Sequence, residues 1–147
     1  MENEAIDASG RSFVLSENET VATQQTMIVG VDLLLFDEAD LLERFDDDTE
    51  FAQSILEESL KEIPRLIEEL QRYCRDGNCS SIRNQAHTLK GMAANLSTPR
   101  LQEVALRMEH AAHDGQLAMI VDLLPEMEHV AYETVNTING LSIMQGI

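Results

Sequence analysis

The residues with the clearest chemical potential lie in segment 86–91, where His87 is followed by Lys90 and Gly91. If Ala86 faces a helical core, His87 is turned by about 100° from it, and Lys90 and Gly91 lie one turn on along the His87 side. An exposed imidazole beside an ammonium group is a poor metal ligand but a usable nucleophile, and the cation can stabilise an incoming phosphoryl group. The spacing therefore favours a nucleophilic role for the His87 imidazole.

Gly91 supports this interpretation through its cost to the helix. Glycine in a helix interior is less favourable than alanine by about 1 kcal/mol. The residue makes sense there if another backbone or a phosphoryl group must approach closely.

Apolar residues recur at helical spacing from residue 37 almost to the end of the chain. A short helix is predicted over 37–45, and an Asp-rich break follows it at 46–48. A long helix of roughly 25 residues is predicted next, bent but not split by Pro64. Three further helices are predicted over about 82–96, 99–112 and 117–138. The helix over 99–112 is preceded by a capping hydroxyl at Ser97-Thr98 and opened by Pro99 at its first position.

The fold class predicted from these elements is all-α. Helices joined by only a few residues pack antiparallel against their chain neighbours, which gives an up-down four-helix bundle with a short extra N-terminal helix. The predicted domains are a flexible acidic tail or linker over 1–35, the bundle over 36–140, and a C-terminal tail over 141–147. The apolar run 27–36 is expected to lie against the helical core, because no partner strand is visible for it.

Charge excludes some functions. The 147 residues carry a net charge of −17, which would be repelled by nucleic acid or an anionic membrane. The first 50 positions hold 14 of the 27 acidic residues and 2 of the 10 basic ones. The acidic N-terminus is unlike a signal peptide, and no apolar run is long enough to span a membrane, so a cytoplasmic domain is expected.

Segment 83–107 differs from the rest of the chain, because its net charge is +3. The basic residues of this segment predict a locally basic docking face that would suit an acidic partner. They are Arg83, Lys90, Arg100 and Arg107, against Glu103 alone.

The His-x-Leu-Lys-Gly pattern at 87–91, placed on the second long helix of a predicted bundle, resembles the histidine-containing phosphotransfer (HPt) domain family of multistep two-component phosphorelays. The resemblance covers about residues 36–138. It implies that His87 is the phospho-acceptor, that Lys90 stabilises the phosphoryl group and that Gly91 leaves room for it. It also places Glu109 beside the imidazole, where a carboxylate that accepts the Nδ1 proton leaves Nε2 as the nucleophile. Ser97 departs from the family pattern, in which Gly commonly follows Asn-Leu.

The resemblance implies a phosphocarrier rather than an enzyme. The expected partners are receiver domains of response regulators or a hybrid histidine kinase, without nucleic acid or membrane. No cofactor of its own is expected, since Mg²⁺ would be supplied by the receiver, and a monomer is expected. Two alternatives stay open: a helical scaffold that does no chemistry, and a module excised from a hybrid sensor kinase.

Other residues that could bind metals lack partners at suitable spacing. His110 and His113 form a His-x-x-His step, and Glu126-x-x-His129 is half of a di-iron signature, but neither set has its remaining ligands. Cys74 and Cys79 are expected to be reduced and incidental. No metal site is therefore predicted.

Overall fold

The structure is a computed structural model that describes Ala5–Ile6, Ser12–Phe13, residues 33–141 and Met144. The chain divides into two units, Met1–Leu34 and Leu35–Ile147. In the first unit, β1 (Ala5–Ile6) and β2 (Ser12–Phe13) pair antiparallel, with Ala5 opposite Phe13. Sequence patterning did not predict this pair, because two residues are too few to show an alternation. The predicted flexible acidic segment 1–35 lies almost wholly outside the described residues.

In its described residues the second unit contains five helices. They are α1 (Glu38–Arg44), α2 (Thr49–Asp76), α3 (Cys79–Asn95), α4 (Pro99–His113) and α5 (Leu117–Asn139). The neighbouring pairs are α2 with α3, α3 with α4, α4 with α5, and α5 with α2. This closed ring of antiparallel neighbours confirms the predicted all-α bundle and its short extra helix.

Helix ends follow the expected capping chemistry with one exception. Asp37, Asp48 and Asn78 accept backbone N–H bonds at the starts of α1, α2 and α3. Pro99 opens α4 as predicted, but the predicted hydroxyl cap is wrong. The Thr98 hydroxyl donates instead to the Ala93 carbonyl at 3.0 Å, because it is buried against the end of α3 and satisfies an acceptor there.

The core is filled by aliphatic side chains, alanines and methionines from all five helices. From α3 it takes Ile82, Ala86, Leu89 and Ala93. Pro64 lies inside α2 without splitting it, as predicted. Leu35 and Phe36 are half-buried against this core, whereas residues 27–32 of the same apolar run lie outside the described part of the chain. In residues 33–141, no helix has both the length and the apolarity needed to cross a bilayer.

The turn between α3 and α4 is held by Ser97 in the left-handed region, with φ at +58°. This conformation costs a residue with a side chain about 1 kcal/mol or more. The Ser97 carbonyl accepts the Asp37 N–H at 2.8 Å, so the turn is tied to the start of α1. A serine therefore occupies a left-handed turn position at which the family that the sequence resembles commonly has glycine.

Candidate functional site

His87 lies in the middle of α3 and points away from the core. Its side chain is 67% exposed, whereas Ala86 and Leu89 on either side of its position are fully buried. The ring Nδ1 lies 2.9 Å from Oε2 of Glu109 on α4. Within the described residues, the other ring nitrogen, Nε2, has no hydrogen-bond partner. The structure therefore presents one nitrogen to the protein and the other to solvent.

Glu109 bridges the imidazole and the Lys90 ammonium group. Its second oxygen, Oε1, lies 2.8 Å from Lys90 Nζ, and the Glu109 and Lys90 side chains are 17% and 28% exposed. The paired Lys90 ammonium group lowers the pKa of Glu109; partial burial opposes this, and the bond from His87 lowers it further. The carboxylate is thus held in its charged form.

An ionised carboxylate can only accept hydrogen bonds. The imidazole nitrogen that faces Glu109 must therefore carry a proton, and in neutral His87 the lone pair is left on Nε2. A single carboxylate thereby fixes the tautomer, the ring orientation and the direction of the nucleophilic lone pair.

Gly91, one turn after His87, is exposed, and a Cβ added there would meet no described atom within 4 Å apart from its chain neighbours and the helix's own backbone. No neighbour in the described chain requires glycine at this position. The cost of about 1 kcal/mol relative to alanine therefore has no explanation in internal packing. Open space at Gly91 lies beside the ring that projects to solvent.

The outward face of α3 is exposed along its length. Asn84, Thr88, Gly91 and Asn95 are exposed on the same side as His87. This side of the helix offers a partner a continuous surface around the imidazole.

The predicted basic docking face is weaker than the charge of segment 83–107 indicates. Arg107 forms two hydrogen bonds to Glu103, of 2.9 and 3.0 Å, and also pairs with Glu126 of α5. Lys90 is likewise paired with Glu109. A count along the segment omits Glu109 and Glu126, which the fold brings to these cations. That partial neutralisation corrects the expectation drawn from the sequence.

The other residues considered for metal binding are not brought together. His110, His113 and His129 are exposed, and Glu126 is engaged with Arg107. In the described part of the chain no three His, Cys, Asp or Glu side chains are grouped as metal ligands would be. Cys74 and Cys79 are half-buried free thiols, and burial raises the pKa of Cys74, which lowers its reactivity.

Two side-chain interactions were missed by reasoning from the sequence. The first is the Arg107 pairing, of which the Glu103 half could have been found from the four-residue spacing on one helix. The second is the Ser97 hydroxyl, which bonds to Asp40 and Arg44 of α1. Nothing in the linear spacing of these residues signals the contact, because it joins positions more than fifty residues apart.

Comparisons with known proteins agree with this fold. The family model described as Hpt domain matches residues 54–137, more than half of the chain. The fold is similar to a crystal structure of histidine-containing phosphotransfer protein B (HptB) from Pseudomonas aeruginosa PAO1. That similarity has a TM-score of 0.67 at 18% identity and covers 71% of this chain and 91% of that chain. A comparison with curated proteins gives no match.

Proposed function

The chain belongs to the Hpt domain family, and from this premise we propose that His87 carries a phosphoryl group between receiver domains of a phosphorelay. Family membership supports a histidine phosphotransfer role. The observation that carries the assignment to His87 is its 2.9 Å bond from Nδ1 to Glu109 on an otherwise exposed ring.

In the proposed step, the Nε2 lone pair of neutral His87 attacks the phosphorus of a receiver aspartyl phosphate. The N–P bond forms as the bond from phosphorus to the aspartate oxygen breaks, and the aspartate leaves as a carboxylate. The Nδ1 proton stays on the ring, which becomes cationic, and Glu109 stabilises that positive charge. The reverse sequence delivers the group to the next receiver.

Lys90 and Gly91 are assigned supporting roles. Lys90 Nζ pairs with Glu109 in the unphosphorylated protein, and in the proposed step its flexible side chain moves to a phosphoryl oxygen on Nε2. Gly91 leaves space on the same side of α3. The protein thus supplies a nucleophile with fixed orientation and a mobile cation.

We assign the chain no enzymatic activity of its own and no cofactor. Mg²⁺ and most of the stabilisation of the transition state would come from the receiver. The proposed partners are receiver domains and hybrid histidine kinases, and the proposed state in solution is a monomer in the cytoplasm.

The test is phosphoryl transfer from a panel of purified receiver domains, each charged with ³²P-labelled acetyl phosphate. Wild type and His87→Gln are compared, with His113→Gln as a matched control because His113 is also exposed. We expect label on wild type and His113→Gln only, lost in acid and kept in alkali, as a phosphorus–nitrogen bond requires.

Label that persists on His87→Gln would contradict the assignment. Absence of label from every receiver, with equal receiver binding to wild type and His87→Gln, would favour a helical scaffold instead.

A further inference from the structure

Ser97 makes two separate ties to α1. Ser97 is only 5% exposed. Its hydroxyl donates to Asp40 Oδ2 at 2.6 Å and accepts from Arg44 Nε at 3.1 Å. Its carbonyl accepts the Asp37 N–H at 2.8 Å. The hydroxyl, with Arg44, also lowers the pKa of Asp40. Ser97 therefore combines an unfavourable φ of +58° with hydrogen bonds to α1 and its cap from both its hydroxyl and its carbonyl.

The helix that Ser97 holds borders the exposed face of α3. A cleft of about 290 Å³ lies there, lined by Asn95 of α3, Arg44 and Phe45 at the end of α1, and Ile55 of α2. Asn95 is eight residues after His87, or about 12 Å along the helix. A partner surface of about 800 Å² centred on His87 extends roughly 16 Å, which reaches the cleft.

We propose that the Ser97 hydroxyl latches α1 in place as the rim of the receiver-docking face, which makes Ser97 a positioning residue for partner binding. This inference rests on the proposed function, because the partner is the receiver that exchanges a phosphoryl group with His87. The occupant of the cleft is an apolar side chain of that receiver, packed on Phe45 and Ile55. The family match begins at residue 54, so α1 lies outside the segment that defines the family.

Two substitutions separate docking from folding. Ser97→Ala and Ser97→Gly both remove the hydroxyl, but only glycine relieves the left-handed backbone. Ser80→Ala is the control, because Ser80 is exposed at the opposite end of α3. Transfer to each variant is measured at increasing concentration of the ³²P-labelled receiver that serves wild type best, and thermal unfolding is measured in parallel.

We expect KM for the phospho-receiver to rise about fivefold in both Ser97 variants, as loss of one typical hydrogen bond predicts, with kcat within about twofold of wild type. Ser97→Gly should unfold at a higher temperature than Ser97→Ala. Ser80→Ala should match wild type in both measurements.

Three results would overturn the latch. An unchanged KM in both variants, or a KM that follows thermal stability and so returns to the wild-type value in Ser97→Gly, would leave Ser97 a merely structural residue while the phosphocarrier function stands. A wild type that takes label from no receiver would instead remove the proposed function, and the latch with it.

Discussion

Two charged networks are centred on residues two positions apart in α4, and the signs of their central and outer charges are reversed. Arg107, 23% exposed, is one cation held between the carboxylates of Glu103 and Glu126. Glu109 is one carboxylate held between the ammonium of Lys90 and the imidazole of His87. The first network joins α4 to α5, and the second joins α4 to α3.

The two networks differ in whether one of their side chains is exposed to solvent. Around Arg107, the paired carboxylates raise the pKa of the guanidinium despite its burial, and all three side chains are largely enclosed. Around Glu109, the central carboxylate is enclosed but the His87 ring is 67% exposed. A closed ion network stabilises packing, whereas an open one holds a reactive group in a fixed direction toward solvent.

Removal of the Lys90 charge should have the largest effect. Lys90→Met should slow transfer to His87 by about 100-fold, since a lost cation at a developing phosphoryl charge costs that much in comparable sites. Lys61→Met is the matched control, because Lys61 is exposed on α2. Rapid-quench measurement of labelled protein gives the rates. Equal rates in the two variants would show that Lys90 serves only to hold Glu109.

Disruption of the network around Arg107 should lower stability and leave phosphoryl transfer unchanged. Arg107→Met leaves Glu103 and Glu126 facing one another and should lower the free energy of unfolding by about 2 kcal/mol. Urea unfolding measures this, with Arg75→Met on the exposed end of α2 as the control. A large loss of transfer at unchanged stability would break the distinction between the two networks.

The network around Glu109 should make the free energy of unfolding depend on pH. Because the folded pKa of Glu109 is lowered, its pairing stabilises the fold at pH values above the unfolded pKa of about 4.3 and is lost as pH falls through the folded value. Wild type should exceed Glu109→Gln in unfolding free energy by about 1 kcal/mol at pH 7 and by almost nothing near pH 2. Urea unfolding across this range checks the difference, and a gap that widens on acidification would contradict the charged pairing.

Substitution of Gly91 should change stability and phosphoryl transfer in opposite directions. Gly91→Ala adds a methyl group that meets no neighbour, so the helix should gain about 0.8 kcal/mol, while transfer should slow several-fold if the space serves an incoming group. Thermal unfolding and transfer kinetics on the same sample test both parts. Faster or unchanged transfer would remove the clearance role.

The sequence predicts the bundle well because apolar periodicity, the Asp-rich break at 46–48 and Pro99 at a helix start are local features. The outward direction of His87 follows from the same periodicity. The Thr98 hydroxyl, the Arg107–Glu126 pair and the tie from Ser97 to Asp40 were not predicted, because each depends on which distant segments the fold brings together. Local pattern sets the helices, and packing between them sets the polar contacts.

The most direct test of the account is the tautomer of His87, read from long-range ¹H–¹⁵N NMR correlations of its ring in the unphosphorylated protein near neutral pH. The account predicts a proton on Nδ1 and a free Nε2, and a shift away from this tautomer in Glu109→Ala. A ring protonated on Nε2 in the neutral wild-type protein would contradict the claim that Glu109 directs the nucleophile outward.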